Sequence, residues 1–292
     1  MWAAVFHSLE YIMLATAKVS IDSLVETELP PMPGSALRVA ALAQDVNSST
    51  RAVADAIGLD PVLAARILRA ANSPLYALER RITSLPMAVN ALGNHNIHML
   101  VVVYGASEAF DKKRQRSPVE RSLWEHSVAV GLAAREISMA LGMRGGEESF
   151  ICGLLHDIGK LLMLRHDPEL YGQMRTEVDE QGLLDQEQES YGFTHAQVGA
   201  LVARRWSIPE EIAYAVYHHH QPSEAGQSMF MARIIDTADA LANVAGVGVR
   251  GEAARDLSAA ESVIALRLAE EQLTAVWERT QARLGQMLPL FD

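Results

Sequence analysis

The chain of 292 residues is 49% hydrophobic and 21% charged, which is enough apolar material for a large core and excludes an intrinsically disordered protein. Its 25 basic and 36 acidic residues give a formal charge of −11, a field that repels phosphate backbones and anionic membranes, so we expect no non-specific nucleic-acid binding. The single cysteine, Cys152, excludes an intramolecular disulfide and a zinc site built from several cysteines, and it favours a reducing, cytoplasmic setting.

Residues 1–28 are predicted to form an N-terminal amphipathic helical extension. The opening MWAAVFHSLEYIMLATAKVS looks apolar, but Glu10 interrupts it and no basic residue precedes it as a secretory signal requires. No other stretch is both long and free of charge, so we expect no membrane span.

Residues 29–116 are predicted to form a bundle of short helices. The prolines and glycine of LPPMPGS at 29–35 set the start of one helix after this segment, and NSST at 47–50 supplies capping residues for the next helix. The stretch MLVVVY at 99–104 is open to two interpretations, a short strand or a buried segment of helix.

One helix in this bundle has clear start and stop signals. Asp60 and Pro61 provide an N-cap and a first-turn proline for the segment VLAARILRAAN at 62–72. Asn72 and Ser73 are interpreted as a helix stop whose polar side chains satisfy nearby backbone groups.

The run DKKRQRSP at 111–118 is the strongest break in composition, and we place a subdomain boundary there. Its four basic residues have no aromatic residues between them to stack bases, so they are interpreted as a solvated loop. A second helical subdomain is predicted at 117–245, followed by C-terminal helices at 246–292, and the fold is predicted to be all-α. Longer amphipathic helices are expected at 123–141, 149–164, 196–206 and 209–220.

Histidines cluster where helices of the second subdomain begin, end or meet: His126, His156, His195, His218, His219 and His220. The centre of interest is GLLHDIGK at 153–160, where an apolar helix carries His156 and Asp157 side by side and Lys160 one turn later. An unpaired imidazole or carboxylate in an apolar environment costs several kcal/mol, so these side chains require partners. Cys152, one turn before His156, is interpreted as a small core residue.

A metal ion is the partner that this pattern favours. Neighbouring side chains on a helix point about 100° apart, so His156 and Asp157 share a cation only in a cleft that other helices complete. Imidazole nitrogen with carboxylate oxygen suits iron, manganese, zinc or cobalt, and ligand softness alone does not choose among them. Candidates for the other ligands are His126, His195, His219, His220 and Asp239.

The order His, His-Asp, His, His-His and Asp resembles the HD superfamily of metal-dependent phosphohydrolases. Residues from 29 to about 245 more specifically resemble the HDOD family, the HD-related output domain of bacterial signalling proteins. The motifs that carry this resemblance are LPPMP at 29–33, DPVLAARILRAANSPLY at 60–76, ITSLPMAVNALG at 82–93, GLLHDIGK at 153–160 and WSIPEEIAYAVYHHHQP at 206–222.

The resemblance implies a multi-helical HDOD fold in which 29–116 is the N-terminal subdomain and 117–245 is an HD-like subdomain that holds the metal site. It implies a phosphate-contacting role for Lys160, with iron or manganese as the expected metal and zinc as an alternative. We pair the family's double histidine with His219 and His220 because Pro222 then falls in the expected place, which leaves His218 as an extra and a shift by one residue open. The implied metal ligands are His126, His156, Asp157, His195, His219, His220 and Asp239.

Two functions follow from the resemblance. The first is a bacterial regulatory protein that acts through a signalling protein partner or a nucleotide-type ligand, with a metal site that is either retained or vestigial. No receiver or sensor domain is recognised before residue 29, so we expect the signal to come from a partner, a ligand or another chain. The alternative is a metal-dependent phosphohydrolase or phosphodiesterase acting on a nucleotide or cyclic nucleotide, with Asp157 and Lys160 as catalytic residues.

The segment after His220 bears on this alternative. QPSEAGQSMF follows His220, where the related HD-GYP phosphodiesterases carry a Gly-Tyr-Pro triplet. We therefore expect activity on cyclic dinucleotides to be weak or absent.

Overall fold

The computed structural model describes residues 19–29, 33–73, 76, 78, 80–109, 117–143, 146–177, 180–206, 208–248 and 257–291. The prediction of an all-α fold is confirmed, because these residues contain helices and no strand. The helices are α1 (Ile21–Glu28), α2 (Gly34–Gln44), α3 (Thr50–Gly58), α4 (Pro61–Ala71), α5 (Leu85–Ala109), α6 (Pro118–Ala140), α7 (Glu147–Leu155), α8 (Ile158–His166), α9 (Pro168–Glu177), α10 (Glu180–Tyr191), α11 (His195–Arg205), α12 (Glu210–Tyr217), α13 (Met229–Val244), α14 (Glu261–Leu266) and α15 (Glu270–Phe291). Short 3₁₀ turns lie at Pro222–Glu224, Gly226–Ser228 and Leu257–Ala259.

The short-helix bundle forms as α2, α3 and α4 pack around α5. The segment 99–104 lies within α5 and is helical, so the strand interpretation of that stretch is wrong. Asp60 caps α4 as expected, because its side chain accepts hydrogen bonds from the backbone nitrogens of Val62 and Leu63 at 2.9 and 3.1 Å.

The stop after α4 is confirmed for one of its two residues. The Asn72 amide donates to the carbonyls of Leu68 and Ile82 and accepts from the Ile82 nitrogen, at 2.7 to 2.8 Å. The Ser73 hydroxyl, in contrast, is buried and has no hydrogen-bond partner among the described residues, so the interpretation is wrong for that side chain.

The second group of helices is arranged around α6, which packs against α7, α13 and α15. α6 begins at Pro118, before the predicted start at 123, because Ser117 and Glu120 form a reciprocal capping box. α8 packs against α11, and α1 lies against both of them rather than against the short-helix bundle.

Two predicted helices end earlier than their sequence pattern indicates, and both ends carry candidate ligands. The helix expected at 149–164 is two helices, because Asp157 has φ −105° and ψ 10° and separates α7 from α8. The break lets the Gly159 backbone run against the His195 carbonyl, where any Cβ atom at residue 159 would collide. The helix expected at 209–220 ends at Tyr217, and a turn follows it.

A single hydrophobic core joins the two groups of helices. α5 packs on α7 across the seam between them, and Met287 of α15 reaches the same seam beside Tyr76 and Leu100. Among the described helices, none combines the length and the apolar character that crossing a bilayer requires.

Candidate metal centre

The seven side chains expected as metal ligands converge in a cleft within the second group of helices. Both helix ends described above face this cleft, which brings the His156–Asp157 pair opposite the His219–His220 pair. His126 comes from α6, His195 is the first residue of α11, and Asp239 comes from α13.

Four of these residues, His126, His156, Asp157 and Asp239, form what we call the first half-site. His126 Nε2 lies 2.9 Å from Asp239 Oδ1 and 3.8 Å from Asp157 Oδ2. His156 Nε2 lies 3.4 Å from Asp157 Oδ2 and 3.7 Å from Asp239 Oδ1. Ligand atoms about 2.1 Å from one cation stand roughly 3 to 4 Å apart, so His126, His156 and Asp157 are spaced as the ligands of one metal ion, and Asp239 Oδ1 lies near both imidazoles.

The second half-site consists of Asp157, His195, His219 and His220. His195 Nε2 lies 3.4 Å from Asp157 Oδ1 and 2.9 Å from His220 Nε2, and His219 Nε2 lies 3.8 Å from Asp157 Oδ1. Asp157 therefore presents one oxygen to each half-site. It is the one residue that the two groups of candidate ligands share.

The histidine rings are oriented by hydrogen bonds on their outer nitrogens. Nδ1 of His126, His156 and His219 lies 2.7 to 2.9 Å from the carbonyls of Val247, Gly153 and Val216, respectively. Because a carbonyl only accepts, each Nδ1 is the donor, and Nε2 of each ring faces the cleft.

Unpaired buried atoms test whether a metal fits this cleft. His156 Nε2, His219 Nε2 and Asp157 Oδ1 are buried and have no hydrogen-bond partner among the described residues. Such atoms are costly to bury, and all three are electron-pair donors of the kind that transition metals bind. The residues present therefore fit a metal ion.

The charge states of His219, His220 and Asp157 suit a cation. Burial, reinforced by the neighbouring His220, holds the pKa of His219 well below its usual range, and burial lowers the pKa of His220 to about 4. Burial alone would raise the pKa of Asp157, but His156 and Lys160 outweigh it and hold that pKa well below its usual range. Neutral imidazoles and an ionised carboxylate are the forms that bind metals.

The pKa values of His126 and His195 are shifted in the opposite direction. Burial would lower both pKa values, but the carboxylates of Asp239 and Glu187, respectively, outweigh it and raise them. These two rings therefore lose a proton when a metal binds.

Glu187 is a supporting residue that the sequence analysis missed. Its fully buried carboxylate accepts from His195 Nδ1 at 2.8 Å and from the hydroxyl of Tyr171 at 2.6 Å, so it fixes the orientation of the His195 ring. Nothing in its surroundings marked it, because QGLLDQEQESY contains several acidic residues with the same local pattern.

Lys160 and Glu180 lie at the edge of the second half-site. Lys160 Nζ is 3.0 Å from Asp157 Oδ2 and donates to Glu180 Oε1 at 2.7 Å. Glu180 Oε1 is also 3.4 Å from His220 Nε2. Burial would raise the pKa of Glu180, but Lys160 and His220 outweigh it and hold that pKa at about 2. The sequence analysis missed Glu180, which is the first residue of an acidic helix without a motif.

His218, the extra histidine, lies outside the two half-sites. Its ring contacts Tyr217 with the ring centroids 4.6 Å apart. Tyr217, His218 and His220 line a cavity of about 230 Å³ that is open to solvent. The second half-site is therefore next to an open cavity.

Comparison with known proteins matches this chain to one family and to several relatives. The family model for the HDOD domain matches residues 29–222. Ribonuclease Y of Thermus thermophilus is 31% identical over 143 residues, which are 47% of this chain and 19% of that protein. An uncharacterized protein of Treponema pallidum is 24% identical over 199 residues, which are 66% of this chain and 38% of that protein. The chain therefore spans well under half the length of these two relatives.

Solved structures share the fold over most of the chain. An HDOD domain protein of unknown function from Geobacter sulfurreducens is 27% identical, with a TM-score of 0.64 over 90% of this chain and 91% of that one. A Shewanella amazonensis SB2B protein provisionally described as a phosphohydrolase is 24% identical, with a TM-score of 0.69 over 92% of this chain and 96% of that one. A Marinobacter aquaeolei VT8 protein provisionally described as a signal transduction protein is 21% identical, with a TM-score of 0.69 over 99% of this chain and 65% of that one.

Proposed function

Because this chain belongs to the HDOD domain family, we propose that it is a bacterial regulatory protein that binds a nucleotide-type phosphate ligand at a two-metal centre and hydrolyses it slowly. The observation that carries the proposal is Asp157, whose two oxygens face two separate sets of histidines. A complete ligand set with three buried donor atoms otherwise unpaired favours a retained site over a vestigial one.

The two half-sites divide the binding work. One metal ion would be held by His126, His156 and Asp239. The other would be held by His195, His219 and His220. Asp157 would be a ligand of both. Iron or manganese suits these nitrogen and oxygen donors, with zinc as an alternative. Bound metals of this kind supply an activated water and positive charge for phosphoryl oxygens.

Lys160 and Asp157 are the residues of this chain that we propose for catalysis. Burial would lower the pKa of Lys160, but Asp157 and Glu180 outweigh it and raise that pKa, so the amine is protonated at neutral pH. A protonated amine at this position would neutralise charge on a phosphate oxygen. Asp157 would fix the position of the two half-sites relative to each other, because it contributes one oxygen to each.

The limited access to the centre supports slow turnover. Most of the ligand side chains are exposed by 5% or less, whereas Asp239, His220 and Glu180 are exposed by 15 to 23% at its rim. A ligand reaches the metals only past these side chains. The second candidate function, a phosphohydrolase with ordinary enzyme rates, is favoured by the complete ligand set and disfavoured by the burial of most of the ligand side chains.

The proposal is tested by measuring metal content and turnover in the same preparations. After loading with Fe²⁺ or Mn²⁺, we expect close to two metals per chain and turnover of generic phosphate mono- and diesters below about 1 per second. Asp157→Asn should lose both properties, whereas His218→Ala should keep them. A protein that binds no metal contradicts the proposal, and turnover of about 1 to 1,000 per second would establish the second candidate instead.

A further inference from the structure

The cavity beside His220 reaches from the surface to the second half-site. Its walls come from α10, from the start of α11 and from the turn after α12, and they include His220, a ligand of the second half-site. His220 Nε2 is 2.9 Å from His195 Nε2, so a ligand whose phosphate lies at the metals would have its organic part in this cavity.

The lining of the cavity offers ring faces and amide groups. Tyr217 is 42% exposed, and a hydrogen bond of 3.2 Å from the Gln197 amide to its hydroxyl positions its ring. The side chains of Gln188 and Gln221 are exposed at the cavity wall. Aromatic faces stack on nucleobases, and a glutamine amide, with both a donor and an acceptor, matches the edge of a base.

The charge of the cavity excludes further phosphates. Among its described lining residues there is no lysine or arginine, and Asp185 contributes a negative charge. Lys160 places its positive charge at the metal centre instead, beside Asp157. A second or third phosphate would therefore meet no counter-charge from the cavity lining, whereas a neutral base meets hydrogen-bonding groups.

The size of the cavity limits its occupant to a single ring system. About 230 Å³ is below the ~300–1,000 Å³ typical of pockets for drug-sized ligands, so a dinucleotide does not fit inside it. The formal charge of −11 also disfavours a long nucleic-acid strand.

From these observations we propose that the cavity binds the base of a free nucleotide that carries one phosphate. The place of the phosphate rests on the two-metal function proposed above. The place of the base does not, because Tyr217 and the glutamines lie outside the metal ligands.

Titration calorimetry with nucleosides and their mono- and triphosphates tests this proposal. At least one nucleoside should bind the metal-free chain, and its monophosphate should bind the metal-loaded chain about tenfold more tightly than the nucleoside. The triphosphate should bind no more tightly than the monophosphate. Tyr217→Ala should weaken nucleoside binding about tenfold through loss of the stacking face, while Tyr217→Phe keeps it.

A matched control is Phe230→Ala, which removes an aromatic ring that is 47% exposed but does not line the cavity, and which should change affinity less than about twofold. The proposal is overturned if no nucleoside binds, or if Tyr217→Ala binds nucleosides like the unaltered chain. It is also overturned if simple sugars compete with the nucleoside equally well. A triphosphate or a short single-stranded oligonucleotide that binds far more tightly than the monophosphate would overturn it too. Nucleoside binding that Tyr217→Ala removes, without any gain from the phosphate, would support the base site and contradict the two-metal function.

Discussion

At the level of single residues, the two half-sites share the carboxylate of Asp157, while every other ligand belongs to only one of them. We therefore predict that the loss of metal on substitution depends on which half-site the substituted residue belongs to. Asp157→Asn should remove both metals, whereas His156→Ala and His219→Ala should each leave about one metal per chain, because the remaining ligands of the other half-site are intact. Elemental analysis of metal-loaded, desalted protein measures this directly.

The control for that experiment is His218→Ala, which removes a neighbouring histidine outside both half-sites and should retain the full metal content. Equal metal loss in His156→Ala and Asp157→Asn would show that the centre binds as a single unit, contrary to the half-site description.

Glu180 gives a second prediction, because its carboxylate accepts a hydrogen bond from Lys160, the amine that we propose for phosphate binding. The same carboxylate lies 3.4 Å from His220 Nε2 and 3.9 Å from His195 Nε2, so it lies beside the second half-site. Glu180→Gln removes a competing anion and should tighten binding of inorganic phosphate to the metal-loaded chain by about tenfold. Calorimetric titration with phosphate measures the change.

The matched control is Asp185→Asn, which removes the same charge from the same helix, at a residue that lines the cavity away from Lys160. It should alter phosphate affinity less than about twofold. If Glu180→Gln instead lowers the metal content, the carboxylate is a required ligand rather than a competitor.

At the level of helices, the break between α7 and α8 places His156 and Asp157 at the cleft. The break lets the Gly159 backbone lie against the His195 carbonyl, with no room for a Cβ atom. We predict that Gly159→Ala lowers the free energy of unfolding by about 1–3 kcal/mol, because its Cβ forces the two segments apart. The same variant should bind less metal, since the segments it separates carry Asp157 and His195.

Urea unfolding of the metal-free protein measures the stability change. Gly172→Ala is the control, since it lies in α9 where an added Cβ meets no atom within 4 Å, and it should raise the free energy of unfolding by up to about 1 kcal/mol. Similar effects of both substitutions would mean that the break does not depend on close packing at residue 159.

The helices and the ligands differ in how far the sequence predicts them. Local signals located the caps of α4 and the apolar faces of α6 and α11, because those signals act within a few residues. The end of α7 was missed because the backbone that packs against Gly159 after the break, at His195, lies far away in the chain. Glu180 and Glu187 were missed for the same reason, since only tertiary contacts distinguish them from other glutamates.

At the level of the whole molecule, the chain's shape and size bear on the ligands it accepts. The segment after His220 folds into two 3₁₀ turns that lead into α13, without the Gly-Tyr-Pro triplet, and the adjoining cavity has room for one base. We predict that the metal-loaded chain hydrolyses cyclic dinucleotides at well below about 1 per second, as measured by chromatography of the products. Turnover of cyclic dinucleotides at ordinary enzyme rates would contradict two inferences: that the small cavity excludes them, and that their hydrolysis requires the triplet.

The hydrogen bond from His126 to the Val247 carbonyl spans 121 residues, and Asp239, its other partner, comes from the helix just before that loop. The second half-site needs only residues between Asp157 and His220. During synthesis from the N-terminus, the ligands of the second half-site are therefore all made before Asp239 and Val247 exist. The first half-site is complete only when α13 and Val247 lie against His126, so it is the half-site that depends on the later part of the chain.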